Sequence, residues 1–388
     1  MKYSDIVHRC FRCGYCKFTD DYQEFNCPSY RKFRFDTFAP GGRMWLIRAW
    51  LNGEIENSER FQEILFSCAT CGSCVEHCAF TFRDDLVNIF ISAREELVNS
   101  GKIPPAVRDY FKGISIQGNP YRQPAKERGA WAKGTSIECY NGHEYLFYVG
   151  CVGSYDEIGM RTARAVSTVL TKAGISMGIL GEKETCDGNE VKSLGEAGLF
   201  QSLAERNINM FKELGIKKII TLDPHALNAF KKDYPDLGGE FEVIHYTQVL
   251  ASLVESESIK FNPFPAKVTY HDSCYLGRHC GEYDAPRSIL NAIPGIELIE
   301  MEQNMENSFC CGGGGGNFFT DILGGGSDSP DRIRVRHALA TGADILAVAC
   351  PQCARMLEDA TKTEGVQDKL LIKDIGEIVS ECLTGLKR

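Results

Sequence analysis

A chain of 388 residues with 43% hydrophobic content is long enough for two or three domains, each with a buried core. A net charge of −9 argues against nucleic acid as a partner. The opening Met1-Lys2-Tyr3-Ser4-Asp5 lacks a signal peptide's apolar core, and no apolar run approaches the ~20 residues that cross a bilayer, so a cytoplasmic protein that meets membranes only through a partner is expected.

Residues 1–103 carry two cysteine runs. The first is Cys10-x2-Cys13-x2-Cys16, with Cys27-Pro28 after a ten-residue gap. The second is Cys68-x2-Cys71-x2-Cys74-x3-Cys78, a [4Fe–4S] ferredoxin spacing. With eighteen cysteines and no signal peptide, these short spacings read as cluster ligands rather than disulfides or zinc couples. In two-cluster ferredoxins the fourth cysteine of each run serves the other cluster. The expected sets are therefore Cys10, Cys13, Cys16 and Cys78 for one cubane, and Cys68, Cys71, Cys74 and Cys27 for the other. Apolar positions 44, 47, 50 and 51 follow helical spacing after Pro40. Asn57 or Ser58 can cap a helix over 59–66, and another runs from Asp84 to Asn99 and stops at Gly101. This region is thus a helical ferredoxin-like domain. Its first fifty residues hold nine Lys/Arg against five Asp/Glu, a docking face for an acidic partner or simply a solvated surface.

Residues 104–140 read as a connector punctuated by Pro104-Pro105, Gly118-Asn119-Pro120 and Gly134. Strands then alternate with helices, which implies parallel sheets with right-handed crossovers. In residues 141–260, strands are expected at Tyr145–Val149, Ile175–Leu180 and Lys218–Leu222, with helices at 157–173 and 197–214. In residues 261–388, strands are expected at Lys267–Tyr270, Ile296–Met301 and Asp344–Ala349. A helix opens with Ser329 as N-cap and Pro330 at its first position, and ends before Gly342. The two α/β stretches look like a repeat.

The second copy holds Cys274, Cys310-Cys311-Gly312 and Cys350-Pro351-Gln352-Cys353. Each group follows an apolar stretch or a loop, so all five cysteines converge at one sheet edge. Adjacent Cys310 and Cys311 suit a multi-iron cluster better than one tetrahedral ion. The backbone of Gly312, Gly313 and Gly314 can approach cluster sulfurs or an anion. His271, Asp272, Arg278 and His279 flank Cys274, where they either serve substrate or play structural roles. Cys280 is a redox-active thiol or an inert one, and Cys139 and Cys382 read as structural. In the first copy, Cys151 matches Cys274, Cys186-Asp187-Gly188 matches Cys310-Cys311-Gly312, and Asp223-Pro224-His225-Ala226 matches the last group. With three cysteines lost, Cys151, Cys186, Asp187, Asp223 and His225 are expected to bind one zinc or iron, to bound an empty pocket, or to be plain core. No iron–sulfur cluster is expected there, since Ala226 offers no ligand.

The segments His271-Asp272-Ser273-Cys274-Tyr275-Leu276-Gly277-Arg278-His279 and Ser308-Phe309-Cys310-Cys311-Gly312-Gly313-Gly314-Gly315 resemble the cysteine-rich CCG domain of heterodisulfide reductase D and B subunits. Similar domains occur in anaerobic glycerol-3-phosphate dehydrogenase C subunits. The resemblance implies an α + α/β chain, with a helical two-cluster domain followed by two repeated CCG domains. It implies one non-cubane [4Fe–4S] cluster on Cys274, Cys310, Cys311, Cys350 and Cys353, beside the two cubanes. It also implies an oxidoreductase subunit of an anaerobic complex, active with a flavoprotein, a ferredoxin or other subunits. The alternatives are a stand-alone reductase of a small heterodisulfide and a non-catalytic electron relay. No Gly-x-Gly-x-x-Gly follows the first strand, so neither flavin nor nicotinamide is expected on this chain.

Overall fold

The computed structural model describes residues 1–386. The N-terminal region is helical. Pro40 opens the helix Pro40–Leu51, where a missing N–H costs nothing. The Ser58 hydroxyl accepts from the Phe61 N–H and so caps Glu59–Phe66, while Leu86–Asn99 forms the third long helix. Met44, Ile47, Phe61, Leu65, Phe66, Ile89, Phe90 and Leu97 meet in the core between these helices.

The 104–140 stretch is more than a connector. It carries a helix, Pro105–Gln117, that buries Val107, Tyr110 and Ile114. It ends in the strand β1 (Glu138–Cys139), which pairs with β3 (Met177–Ile179). With β2 (Tyr145–Tyr148), β4 (Lys218–Thr221) and β5 (Glu242–His245) these form one parallel sheet in the order β1-β3-β2-β4-β5. β6 (Ile259–Phe261) follows and pairs antiparallel with β11 (Leu383–Leu386). The second parallel sheet contains β7 (Ala266–Tyr270), β8 (Ile296–Leu298), β9 (Ile345–Val348) and β10 (Leu371–Asp374), in the order β10-β9-β7-β8. Without the extra edge strand β1, the first sheet reads β3-β2-β4-β5 and the second β8-β7-β9-β10. The two stretches are therefore one topology used twice, an open doubly wound order that places loops at the carboxyl ends of its central strands. β8 is shorter than its expected span because the chain leaves the sheet after Leu298.

Ser329 stands at the N-cap of the helix Pro330–Ala340, but its hydroxyl bonds to Asp331 at 2.5 Å rather than to the helix backbone. The two halves pack through the helix Glu157–Lys172 of the first, which lies against Pro351–Glu364 and Ile375–Cys382 of the second. Arg161 ties the same faces by pairing with Glu358 at 3.2 Å and with Glu377. No helix among the described residues is long and apolar enough to cross a membrane.

Candidate metal centre

The C-terminal half places its five cysteines where three strand ends release the chain. Cys274 lies in the turn after β7, Cys310 and Cys311 in the loop that returns from β8, and Cys350 directly after β9. All five are buried. Cys350 is the N-cap of Pro351–Glu364, and its sulfur accepts from the Cys353 N–H at 3.5 Å. Helix N-termini favour negative charge, so this position suits a thiolate. The Cys310 and Cys274 sulfurs lie 3.9 Å apart, and those of Cys311 and Cys353 3.4 Å. Hydrogen bonds from Cys310 and Cys353, with His271 alongside, hold Cys311 well below the ordinary thiol range despite its burial. Burial opposes ionisation of Cys350, yet hydrogen bonds from Cys353 and His225 bring it down to about 7. Five buried sulfurs, with the Asp223 carboxylate and His225 beside Cys350 alone, are a thiolate-dominated donor set suited to a thiophilic, multi-iron group.

The second ferredoxin run leans directly on this site. Cys71 lies in hydrogen-bonding contact with Cys310, which together with burial pushes its thiol well up. Ala69 and Cys71 pack with Cys274, Tyr275 and Cys310 in one buried cluster. Arg278 donates from Nε to the Cys71 carbonyl at 2.7 Å and from Nη1 to the Ser308 carbonyl at 2.7 Å. Its buried Nη2 has no hydrogen-bond partner, and the surrounding sulfurs of Cys71, Cys274 and Cys310 raise its pKa against the effect of burial. A buried guanidinium nitrogen left unpaired beside three sulfurs fits an anionic sulfur-rich group there. His279 Nε2 lies 2.8 Å from the Thr70 carbonyl, and its ring stacks on Tyr275 at 4.3 Å. Arg278 and His279 thus hold the Cys68–Cys74 loop in place. Asp272 is paired to Arg287 at 2.7 and 3.0 Å and takes the Met305 N–H at 2.8 Å, so it braces the fold. His271 stands within 4.8 Å of the ligand atoms of Cys311 and Cys353, and its Nδ1 accepts from Arg334 Nε at 3.1 Å.

The glycine run serves two purposes. Gly312, at φ +91°, donates its N–H to the Cys310 sulfur at 3.3 Å, and Gly313 lies against the Cys311 sulfur. Gly314 and Gly315 instead let the ferredoxin loop approach. A Cβ on Gly314 would stand 2.5 Å from the Ala69 carbonyl oxygen, and one on Gly315 2.4 Å from that of Cys68.

In the N-terminal region, Cys27, Cys68, Cys71 and Cys74 line one cavity with Pro28 and Arg43. Burial pushes Cys16 up to about 12, and Cys27, Cys78 and Cys10 around it add to the rise. Burial likewise raises Cys10, with Cys78 and Cys13 contributing. Cys13 is exposed, and Trp45 covers the site by donating from Nε1 to the Cys10 carbonyl at 2.9 Å. Of the other cysteines, Cys139 is exposed on β1 and Cys382 donates to the Ile378 carbonyl at 3.0 Å. Burial pushes the Cys280 thiol up to about 11.

The expected donors of the first α/β half, Cys151, Cys186, Asp187, Asp223 and His225, all line one narrow pocket, but they do not close into one tight ligand set. Asp223 and His225 come together with Cys350 of the other half, their ligand atoms within 4.8 Å of one another. Asp223 Oδ1 caps the His225 N–H at 2.9 Å and lies 2.7 Å from its Nδ1. The His225 ring packs on Tyr275 at 4.1 Å. Cys151 and Cys186 line the same pocket as Asp223 and His225, and Arg128 lies over Cys151. Its Nη1 and Nη2 are each 3.6 Å from the Cys151 sulfur. Arg128 lies in the supposed connector, and its partners stand far along the chain, so spacing could not announce it.

Comparisons with known proteins follow this division. A family described as a cysteine-rich domain matches residues 145–231 and again 268–358, and a 4Fe-4S dicluster domain matches residues 6–81. The chain is 33% identical over 400 residues to the D subunit of the dihydromethanophenazine:CoB–CoM heterodisulfide reductase of Methanosarcina barkeri, covering 96% of this chain and 93% of that one. It is 38% identical to the probable iron-sulfur-binding oxidoreductase FadF of Bacillus subtilis (84% of this chain, 47% of FadF). It is 31% identical to the EtfAB:quinone oxidoreductase of Syntrophomonas wolfei (95% and 57%). The chain thus spans about half the length of these last two. Among solved structures, a hypothetical protein from Helicobacter pylori shares the fold at a TM-score of 0.59 and 12% identity, over all of this chain and 74% of that one.

Proposed function

The chain belongs to the family of heterodisulfide reductase D subunits, iron–sulfur oxidoreductase components with a dicluster domain ahead of two cysteine-rich domains. From that premise we propose that it carries electrons from a redox partner protein to a reaction site at Cys274–Cys353, inside a larger oxidoreductase complex. Two [4Fe–4S] cubanes, one on Cys10, Cys13, Cys16 and Cys78 and one on Cys27, Cys68, Cys71 and Cys74, with a non-cubane cluster on Cys274, Cys310, Cys311, Cys350 and Cys353, supply one-electron carriage when bound. The contact of Cys71 with Cys310 and Cys274 carries this reading, because it joins the dicluster domain to the complete cysteine-rich half without intervening protein.

The protein's own residues set the terms of that transfer. Arg278 fixes the Cys68–Cys74 loop and offers a buried cation to the sulfurs around it. Burial of the five cysteines excludes water from the reaction site. His225 and Asp223, contributed by the half that has lost its ligands, stand beside Cys350 and hold a proton next to it. The flavoproteins, quinone-reactive chains and membrane subunits of such complexes would supply the hydride, quinone and haem chemistry.

The test is iron and acid-labile sulfide in anaerobically purified protein. The expected content is about twelve irons per chain, from two cubanes and one four-iron non-cubane cluster. A value near eight irons would mean that the 274–353 cysteines do something else.

A further inference from the structure

The half that has lost three cysteines keeps two, and their surroundings are specific. Cys186 holds the place that Cys310 has in the complete half. Gly188 donates its N–H to the Cys186 sulfur at 3.4 Å, as Gly312 does to Cys310 at 3.3 Å. Cys151 holds the place of Cys274. The Cys274 and Cys310 sulfurs are 3.9 Å apart, and Cys151 and Cys186 line one narrow pocket, close enough that each shifts the other's titration. The remaining positions are Asp187, Asp223 and Ala226, so no third sulfur completes a ligand set. Among the described residues, no three metal-capable side chains that include Cys151 or Cys186 bring their ligand atoms within 4.8 Å of one another.

Arg128 occupies the approach that a metal would need. Both its terminal nitrogens face the Cys151 sulfur, and it is held by Glu184 Oε1 at 3.0 Å and the Thr185 carbonyl at 3.1 Å. A fixed guanidinium on a sulfur repels a cation and stabilises a thiolate. Cys151 accordingly lies below the ordinary thiol range, first through the Cys186 hydrogen bond and, against burial, through Arg128. The two cysteines line a narrow pocket with Asp187, Glu190, Asp223, His225 and Gln352, and Gln352 belongs to the Cys350–Cys353 motif of the other half.

We infer that Cys151 and Cys186 form a reversible dithiol–disulfide couple, a two-electron site sharing a pocket wall with the cysteines of the complete half. The inference rests on the proposed delivery of electrons to those cysteines. Its oxidising partner is a small disulfide. The Cys151 thiolate attacks one sulfur of that disulfide, the S–S bond breaks, and one thiolate leaves. Cys186 gives up its proton and attacks the Cys151 sulfur, and the second thiolate leaves. Two protein thiols are oxidised, one disulfide is reduced to two thiols, and the two leaving thiolates take up the two protons. Two electrons and two protons, the electrons being those that the chain delivers, restore the dithiol.

The experiment treats the full chain, purified anaerobically with its iron in place, with cystamine, then denatures it in iodoacetamide and maps the peptides. The expected result is a Cys151–Cys186 cross-link in most chains, with exposed Cys139 as a single-thiol control. Arg128→Gln should slow the cross-link by about tenfold, the effect of about one unit of lost thiolate stabilisation, while Arg128→Lys keeps much of the rate. Alkylation of Cys151 and Cys186 as two free thiols would overturn the couple. So would stoichiometric zinc or iron that disappears with Cys151→Ser. Iron and sulfide counted on the same sample separate the two readings. Full iron with free thiols defeats the couple alone, whereas low iron with a cross-link defeats the cluster assignment and leaves the couple standing.

Discussion

Two buried side chains show how the metal centre is held together. Arg94 is fully buried and meets carbonyls rather than a carboxylate. It donates to Leu65 at 2.7 Å, Cys68 at 2.6 Å, Ser193 at 2.7 Å and Gly315 at 3.4 Å, so one guanidinium joins the dicluster domain to both α/β halves. Burial lowers its pKa to about 10, which leaves it charged at neutral pH. Arg94→Met would take the short donor from the Cys68 and Ser193 carbonyls, at ~1–3 kcal/mol for each, while the Leu65 carbonyl keeps the Cys68 N–H at 3.3 Å. Its unfolding free energy in urea should fall by several kcal/mol, and Arg94→Lys should recover only part, because one ammonium cannot reach all four. An unchanged unfolding midpoint for Arg94→Met would show that the carbonyls find other partners. Cys311 tests the cluster assignment. It faces Cys353 and His271, whereas Cys310 touches Cys71. Cys311→Ser should therefore abolish the special cluster and leave both cubane signals in EPR of the reduced protein. Cys310→Ser should disturb the neighbouring cubane as well. Loss of every cubane signal in Cys311→Ser would contradict the division of ligands.

At the scale of elements, the strand-to-helix turns carry both the site and the pH response. His245 ends β5 and caps the helix Tyr246–Glu255, fully buried, with Nε2 3.1 Å from the Leu222 carbonyl and Nδ1 2.7 Å from the Thr247 hydroxyl. Burial lowers its pKa to about 4, so the folded state disfavours the charged ring. The unfolded chain titrates near pH 6.5, and the stability His245 contributes is present above that value and lost as pH falls towards about 4. The full effect is about 3 kcal/mol. The melting temperature should drop across that window, and His245→Gln should flatten the drop. An equal slope in the variant would assign the acid response to other groups. The same turns explain what could be read beforehand. Strands followed by Cys151, Cys274 and Cys350 announce themselves because an apolar run ends at a reactive residue. The repeat then follows from matching those endings, and the two sheets share one strand order. β5 and β10 escaped because Glu242–His245 and Leu371–Asp374 mix charged and apolar residues and bury only every second position, unlike the continuous apolar runs of β2 and β9. The seating of Gly314 and Gly315 on the Cys68–Ala69 backbone escaped for another reason. A glycine that spares room looks the same in sequence as one that offers an N–H.

For the whole molecule, the proposed electron path has an entry and an end. Cys71 meets the complete half, and Cys13 faces solvent on the far side of the ferredoxin-type set. Next to Cys13 in the chain, Phe11 is 77% exposed and Tyr15 47%, and the Arg12 and Arg48 guanidinium groups lie 5.0 and 5.2 Å from the Trp45 ring. Exposed aromatics beside arginines are the composition of a protein-docking surface. The first fifty residues carry nine Lys/Arg against five Asp/Glu in a chain whose net charge is −9, so on the proposed reading an acidic partner should dock at this end. Such steering acts over a Debye length of ~10 Å at ~0.1 M salt and fades as salt rises. Electron transfer from the natural flavoprotein or ferredoxin partner should therefore slow markedly between low and high salt. Replacing Arg12 and Arg48 by Gln should lower the rate at low salt and weaken its salt dependence, with the clusters unchanged by EPR. Stopped-flow reduction at several ionic strengths measures both effects, and a rate indifferent to salt would place docking elsewhere. By itself the chain should not oxidise NADH, because no Gly-x-Gly-x-x-Gly follows its first strand to receive a dinucleotide. Turnover of NADH by the purified single chain would mean that it accepts hydride directly and needs no donor at the Cys13 end.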